Sequence, residues 1–182
     1  YKLCFLYDDY SPIEPISEEE LLKSFHLRDS TNSYQGEVIR VRWRPYDRGS
    51  KEADFCYFLT YMMAISNNAK TTLLELIGCE GDFVKLHGLK DNYSGFRFQK
   101  FSDCYLPDES IYNYLSDGSK CRVTTIALDG AKIPPYNLFQ LNGTQHIAGP
   151  IGNIIVSQKF VDLVYKKELT GLNFEPVKIV NF

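Results

Sequence analysis

Over residues 37–44 apolar and charged positions alternate without a break. Ile39, Val41 and Trp43 fall on one side of an extended chain, and Arg40, Arg42 and Arg44 on the other, the pattern of a half-buried strand. Pro45 ends it. Residues 2–7 form a near-continuous apolar run of strand length, closed by Asp8-Asp9-Tyr10-Ser11-Pro12. Between these strands Ser17 and Glu20 have the S-x-x-E spacing of a capping box, which predicts a short helix with Leu21, Leu22 and Phe25 as its apolar face. Phe55, Phe58, Leu59, Met62 and Ser66 recur at helical spacing and predict a helix over 52–66, although FCYFLTYMM is aromatic enough for a strand. A second short helix is expected over 71–77, before Gly78.

Beyond Gly78 the pattern turns to strands, over 82–86, 94–101, 111–115, 121–128 and 138–141, with Asp117-Gly118 and Asp129-Gly130 as hairpin-type turns. Residues 154–180 then read as strand, helix, stop and strand. Ser157 is a good N-cap, and Phe160, Val161 and Val164 share one helix face. Lys166 and Lys167 suit the negative helix end, Gly171 is the expected left-handed stop, and Pro176 interrupts the last strand. Strands with a few short helices in irregular order predict an α+β fold. The expectation is a single domain over 1–182, mostly antiparallel sheet, long enough to bury a substantial core.

The formal charge of −3 hides an uneven distribution. Residues 1–37 set Lys2, Lys23 and Arg28 against eight carboxylates, whereas 38–51 set Arg40, Arg42, Arg44, Arg48 and Lys51 against Asp47. An acidic segment followed by a basic one makes either a self-paired surface or two partner patches. No apolar run approaches the ~20 residues of a membrane span. The five cysteines are widely spaced and lack a C-x-x-C, which argues against a zinc ribbon and suits a reducing cytoplasm. Cys4, Cys56 and Cys121 lie in apolar runs and are expected to be buried thiols. Position 1 is Tyr rather than Met and reads as a trimmed start. Asn92-Tyr93-Ser94 and Asn142-Gly143-Thr144 match the glycosylation triplet and are read as turns.

Catalytic chemistry finds little support. His26, His87 and His146 stand apart from one another, and neither a G-x-S-x-G elbow nor a G-x-x-x-x-G-K loop is present. Gly149-Pro150-Ile151-Gly152 reads as a tight loop before a strand, and Asp108-Glu109 as a helix or turn start after Pro107. No catalytic, metal or cofactor residue is nominated, and a small hydrolase stays only as an alternative.

The terminal segments IPPYNLFQLNG and IIVSQKFVDLVYKKELTGLNFEPV carry a resemblance. Their Leu138–Gly143 stretch, Val156-Ser157, Phe160 and Leu169-Thr170-Gly171-Leu172-Asn173-Phe174-Glu175-Pro176-Val177 are similar to the C-terminal signature of a bacterial immunity-protein family, the eleventh in the numbered series tied to polymorphic toxins. Asn173 replaces a more usual acidic residue and Gln140 a basic one. The match covers 138–180, and residues 1–50 are individual. The resemblance implies a cytoplasmic protein, not an enzyme, that binds the C-terminal domain of a cognate toxin and holds it inactive.

Specificity is then expected in the individual N-terminal part. The candidate partner-binding residues are Asp8, Asp9 and Tyr10 after the first strand, Glu18 and Glu19 at the first helix, and Arg40, Arg42 and Arg44. An acidic, tyrosine-tipped surface would meet a basic toxin. The arginine face offers a nucleic-acid-binding alternative, disfavoured by the pI of about 5.6 and by the lack of a second basic cluster along the sequence. Trp43 is expected in the core.

Overall fold

The computed structural model describes residues 1–6, 9–29, 38–44, 52–59, 61–89, 93–143 and 154–181. Two sheets dominate. The first runs in the order β2 (Ile13–Pro15), β3 (Val38–Trp43), β6 (Gly81–His87), β7 (Ser94–Phe98), β5 (Met62–Ile65) and β4 (Phe55–Leu59). The second runs β14 (Leu172–Glu175), β1 (Lys2–Phe5), β13 (Ile154–Val156), β12 (Leu138–Leu141) and β8 (Phe101–Ser102). Two ribbons complete the strands: β9 (Ile111–Tyr114) with β10 (Lys120–Thr125), and β11 (Ala127–Asp129) with β15 (Lys178–Val180). Pairing is antiparallel except for β3 with β6, β8 with β12 and β11 with β15. The chain is a single α+β domain with predominantly antiparallel sheet.

The central core lies between the sheets. Leu3 and Phe5 of β1, Phe55 of β4, Met63 and Ile65 of β5, and Phe96 of β7 meet there with Ala69, Leu73 and Ile77 of helix α2 (Asn67–Ile77) and Phe160, Val161 and Val164 of helix α3 (Gln158–Lys166). The first sheet buries its other face as well. Its edge strands β2 and β4 curl toward each other, and Ile13, Ile39, Val41, Cys56, Met62, Ala64 and Val84 fill the concave side. A third core, with Cys104, Val123, Ile126, Phe139 and Ile155, lies behind the second sheet.

This double coverage explains why the helix predicted over 52–66 is instead the hairpin β4–β5. Met62 to Ile65 are all buried, alternate residues serving different cores. A strand covered on both faces shows no polar alternation, so its apolar run mimics a helix. Ser66 does not end a helix but caps one, its Oγ accepting from the Ala69 N–H at 3.1 Å, so α2 starts four residues before the expected 71. The run 94–101 is split between the two sheets, and 121–128 is split at the buried Ile126. Asp117-Gly118 does turn the β9–β10 hairpin, with Gly118 at φ 81°. Asp129-Gly130 does not: β11 pairs with β15 in parallel, so the chain leaves through a 3-10 turn (Gly130–Lys132) in which Asp129 accepts from Ala131 N–H.

The terminal unit forms as the sequence predicts, except at its stop. Ser157 Oγ accepts from Phe160 N–H at 3.2 Å, and Phe160, Val161 and Val164 are buried. The helix closes earlier than Gly171, through a Schellman pair: Glu168 N–H donates to Tyr165 O and Leu169 N–H to Val164 O, with Glu168 itself at φ 52°. Gly171, at φ 99°, serves a close approach instead. A Cβ there would collide with the Phe55 carbonyl and lie 2.9 Å from the Ala53 Cβ. Pro176 and Val177 then carry the chain from β14 to β15 in a different sheet.

Helix α1 (Glu18–Asp29) contradicts its expected apolar face. Leu22 and Phe25 are exposed, while Glu20 and Ser24 are buried. The reason is its position. It seals the edge of β3 beyond the end of β2, where the strand's unpaired backbone groups need polar partners rather than apolar ones. Glu20 Oε2 accepts from the Arg40 N–H at 3.0 Å, and Ser24 Oγ accepts from Tyr61 Oη at 2.8 Å. The capping box is therefore half formed: Ser17 Oγ accepts from Glu20 N–H, but the Glu20 carboxylate is spent on β3.

The five cysteines differ in exposure. Cys56 and Cys104 are buried, Cys4 half-buried, and Cys79 and Cys121 exposed. Burial pushes the Cys56 thiol up to about 12. Cys121 was expected inside, but its ribbon strand leaves it facing outward.

Candidate functional site

The alternation in β3 holds in space. Ile39 and Val41 are buried, and Arg40 and Arg42 point outward from the curled sheet, with Arg44 exposed just past its end. Trp43 points inward but is only half-buried, its ring edge-on to Tyr93 at 5.5 Å. Across the strand pair, Glu14 of β2 stands opposite Arg42. Its carboxylate takes both neighbours at once: Oε1 accepts from Arg42 Nε at 2.9 Å and Oε2 from Arg44 Nε at 2.8 Å. Hydrogen bonds from Arg44 first, and then Arg42, hold the Glu14 carboxyl below the usual carboxylate range. The acidic and basic segments of the sequence thus pair with each other, through Glu14 and through Glu20 on the Arg40 backbone. Both guanidiniums give only Nε–H to Glu14, and each guanidinium has five N–H donors.

The sheet then adds residues that sequence spacing separates. Parallel pairing of β3 with β6 sets Val38 beside Lys85 and Arg40 beside His87. Lys85 and His87 are exposed on the same outer wall, while Val84 and Leu86 face inward. At the flank, Lys70 Nζ lies 4.6 Å above the Phe83 ring and donates to Ser94 Oγ. Register thus brings one lysine and one imidazole beside the arginine row from the neighbouring strand. The alternation within 82–87 is legible in the sequence, but the parallel register that brings it beside β3 is not.

The acidic candidates do not assemble in the same way. Asp8 lies outside the described residues. Asp9 is exposed in a turn, and Tyr10 packs against the concave core, with its N–H on Leu6 O. Glu18 and Glu19 are exposed at the start of α1, Glu19 lying 3.4 Å from Lys23. Glu20 is held down as an acid by the Arg40 N–H first and Lys23 second.

A cleft of about 450 Å³ follows the seam between β2 and β4, with Glu14, Pro15, Ser17 and Arg44 on one side and Tyr57 and Leu59 on the other. Burial pushes the Tyr57 hydroxyl up.

The remaining candidates lie apart from this surface or serve the fold. His26 is exposed on α1, and His146 and the Gly149–Gly152 loop lie outside the described residues, as do Asn92 and Thr144. Asp108 and Glu109 sit in a 3-10 turn, where Glu109 takes Lys178 Nζ at 2.7 Å. Among the described residues no three His, Cys, Asp or Glu side chains are grouped to hold a metal ion, and no helix is long and apolar enough to cross a membrane. One buried acid, Glu80, carries no local sequence signal. Glu80 Oε1 accepts from Asn137 N–H at 2.7 Å, and Asn137 Oδ1 in turn accepts from Ser157 Oγ. Burial, the largest influence, raises the Glu80 pKa. Compared with known proteins, the chain matches no family model and no curated protein.

Proposed function

We propose that the chain is an immunity protein, which binds the toxin domain encoded beside it and keeps that domain inactive in the cytoplasm of the producing cell. One observation supports a binding role above others: charged groups held in place across paired strands. Glu14 fixes two guanidiniums before any partner arrives, which lowers the ordering cost of association. The inhibitor role rests on the terminal signature. Protection needs nearly complete occupancy, so Kd is expected at about nanomolar or below. Co-expression with the neighbouring toxin gene tests the reading. Growth is expected to be restored, and persistent toxicity beside soluble, folded protein rejects it.

The outer wall with Arg40, Arg42, Arg44, Lys85 and His87 also favours a second reading, a nucleic-acid-binding module. A gel-shift series with single-stranded and duplex DNA at low salt separates the two. Submicromolar binding whose affinity falls steeply with salt belongs to the second reading.

A further inference from the structure

We infer that the outer wall of β3 and β6 is the docking face for a carboxylate-rich segment of a protein, read by Arg40, Arg42, Lys85 and His87. That the partner is a protein rests on the inhibitor reading. The choice of carboxylate over nucleic acid comes from the surface itself.

The wall concentrates cations that the sequence keeps more than 40 positions apart, since the parallel register of β3 with β6 sets Lys85 on the strand beside Arg40 and Arg42. It does so in a chain whose net charge is −3, so everything outside this face is more acidic still. A long polyanion that overruns such a face meets repulsion at Glu18 and Glu19, both exposed on the neighbouring helix α1. A short acidic segment does not.

Among the described residues, the wall's own strands lack the feature that single-stranded nucleic acid requires. Bases need open aromatic platforms, and the aromatic rings that β3 and β6 carry are turned away or covered. Trp43 faces the concave core, and Phe83 lies under Lys70. What remains is guanidinium, ammonium and imidazole on two hydrogen-bonded strands. Guanidinium matches a carboxylate in a planar, two-point fashion. Glu14 leaves room for such a match, because its two oxygens each take a single Nε–H, from Arg42 at 2.9 Å and from Arg44 at 2.8 Å. Arg40 and Lys85 stand on neighbouring strands of the same wall, two register steps apart. A partner carboxylate would reach them as Glu14 reaches Arg42 and Arg44, from the next strand position over.

The test uses the full chain, labelled for amide NMR, and two short ligands of matched charge: the blocked hexapeptide (Asp-Glu)3 and a thymidine oligonucleotide with six phosphates. The peptide is expected to shift amides of Val38–Trp43 and Gly81–His87 selectively. Its affinity should fall at least tenfold when salt rises from about 20 to 200 mM, because exposed pairs are screened over about a Debye length. Arg40→Glu with Lys85→Glu should weaken it at least tenfold again while thermal unfolding stays unchanged. Should that pair fail to fold, Arg40→Ala with Lys85→Ala is read in its place, with a loss of at least threefold. Shifts centred elsewhere, an affinity indifferent to both variant pairs, or tighter binding of the oligonucleotide at the same residues would each overturn the inference. None of these outcomes depends on the toxin, so the co-expression result judges the inhibitor reading separately.

Discussion

Asp54 and Thr170 hold each other by three hydrogen bonds across 116 residues of sequence. Thr170 gives its N–H and its hydroxyl to Asp54 Oδ2, and Thr170 Oγ1 receives the Asp54 N–H, each at 3.1 Å. The other carboxylate oxygen accepts from Ser66 Oγ, the N-cap of α2, and from Asn68 Nδ2. One side chain therefore fastens the terminal strand–helix–strand unit to the start of α2. The unit is a clamp on the central core, and its threonine and glycine are explained by the fold alone.

Asp54→Ala removes bonds to a charged acceptor and is expected to cost about 2–3 kcal/mol. Thr170→Val is expected to cost about 1–2 kcal/mol, and the double variant less than the sum. Urea unfolding of the four proteins measures the coupling. Strict additivity would show that the two residues do not act together.

Gly171→Ala puts a Cβ against the Phe55 carbonyl at a positive φ. A loss of about 2 kcal/mol or more is expected, with a lower Tm on calorimetry. Gly118→Ala, also at positive φ but with open space around it, is expected to lose only about 1 kcal/mol.

Glu20 ties α1 to β3 as a carboxylate whose pKa is lowered in the fold, chiefly by the Arg40 N–H and then by Lys23. An unfolded glutamate titrates near about 4.3. The stabilisation is complete above that value and is lost as pH falls through the lower folded value. Glu20→Gln, which keeps an acceptor but no charge, should be less stable than the parent at pH 7 by about 1 kcal/mol. That gap should close at acid pH. A gap of equal size at pH 7 and pH 3 would contradict the assignment.

Glu80 has the opposite sign. Burial raises its pKa in the fold, so the folded protein keeps a proton that the unfolded chain releases. Stability from this site is present below the ordinary glutamate value and drains as pH rises through the folded one. Glu80→Gln is expected to gain stability relative to the parent between pH 4 and pH 8, read from Tm at each pH. A constant difference across that range would rule the carboxyl out as the source.

Trp43→Ala is expected to cost about 2 kcal/mol, less than the ~3–5 kcal/mol of a fully buried aromatic, because the indole is half-buried against Tyr93. Emission should lie between those of a buried and a water-exposed indole. A fully red-shifted spectrum in the folded protein would place the ring outside the core.

What the sequence makes legible here follows from where each signal is stored. Alternation in β3 and the cap at Ser157 are local, and both elements stand where the pattern puts them. The β4–β5 hairpin was hidden because Met62–Ile65 are buried on both faces, so periodicity carries no information there. α1 departs from its pattern for a related reason: the buried residues described on it, Glu20 and Ser24, are polar, since it seals a strand edge. Among the candidate site residues the arginines were visible, whereas Lys85, His87 and the organising role of Glu14 depend on register between distant strands.

Register also sets the order in which this molecule can be made. β1 lies between β13 and β14, and Lys2 reaches Glu175 at 3.1 Å across 173 residues. On the ribosome the first strand therefore emerges long before either neighbour exists, and the curled sheet can assemble while the second sheet still lacks most of its members. Leu3 and Phe5 wait uncovered through that interval, exposed to chaperones and to other nascent chains. β13 and β14, far along the chain, complete the sheet around β1.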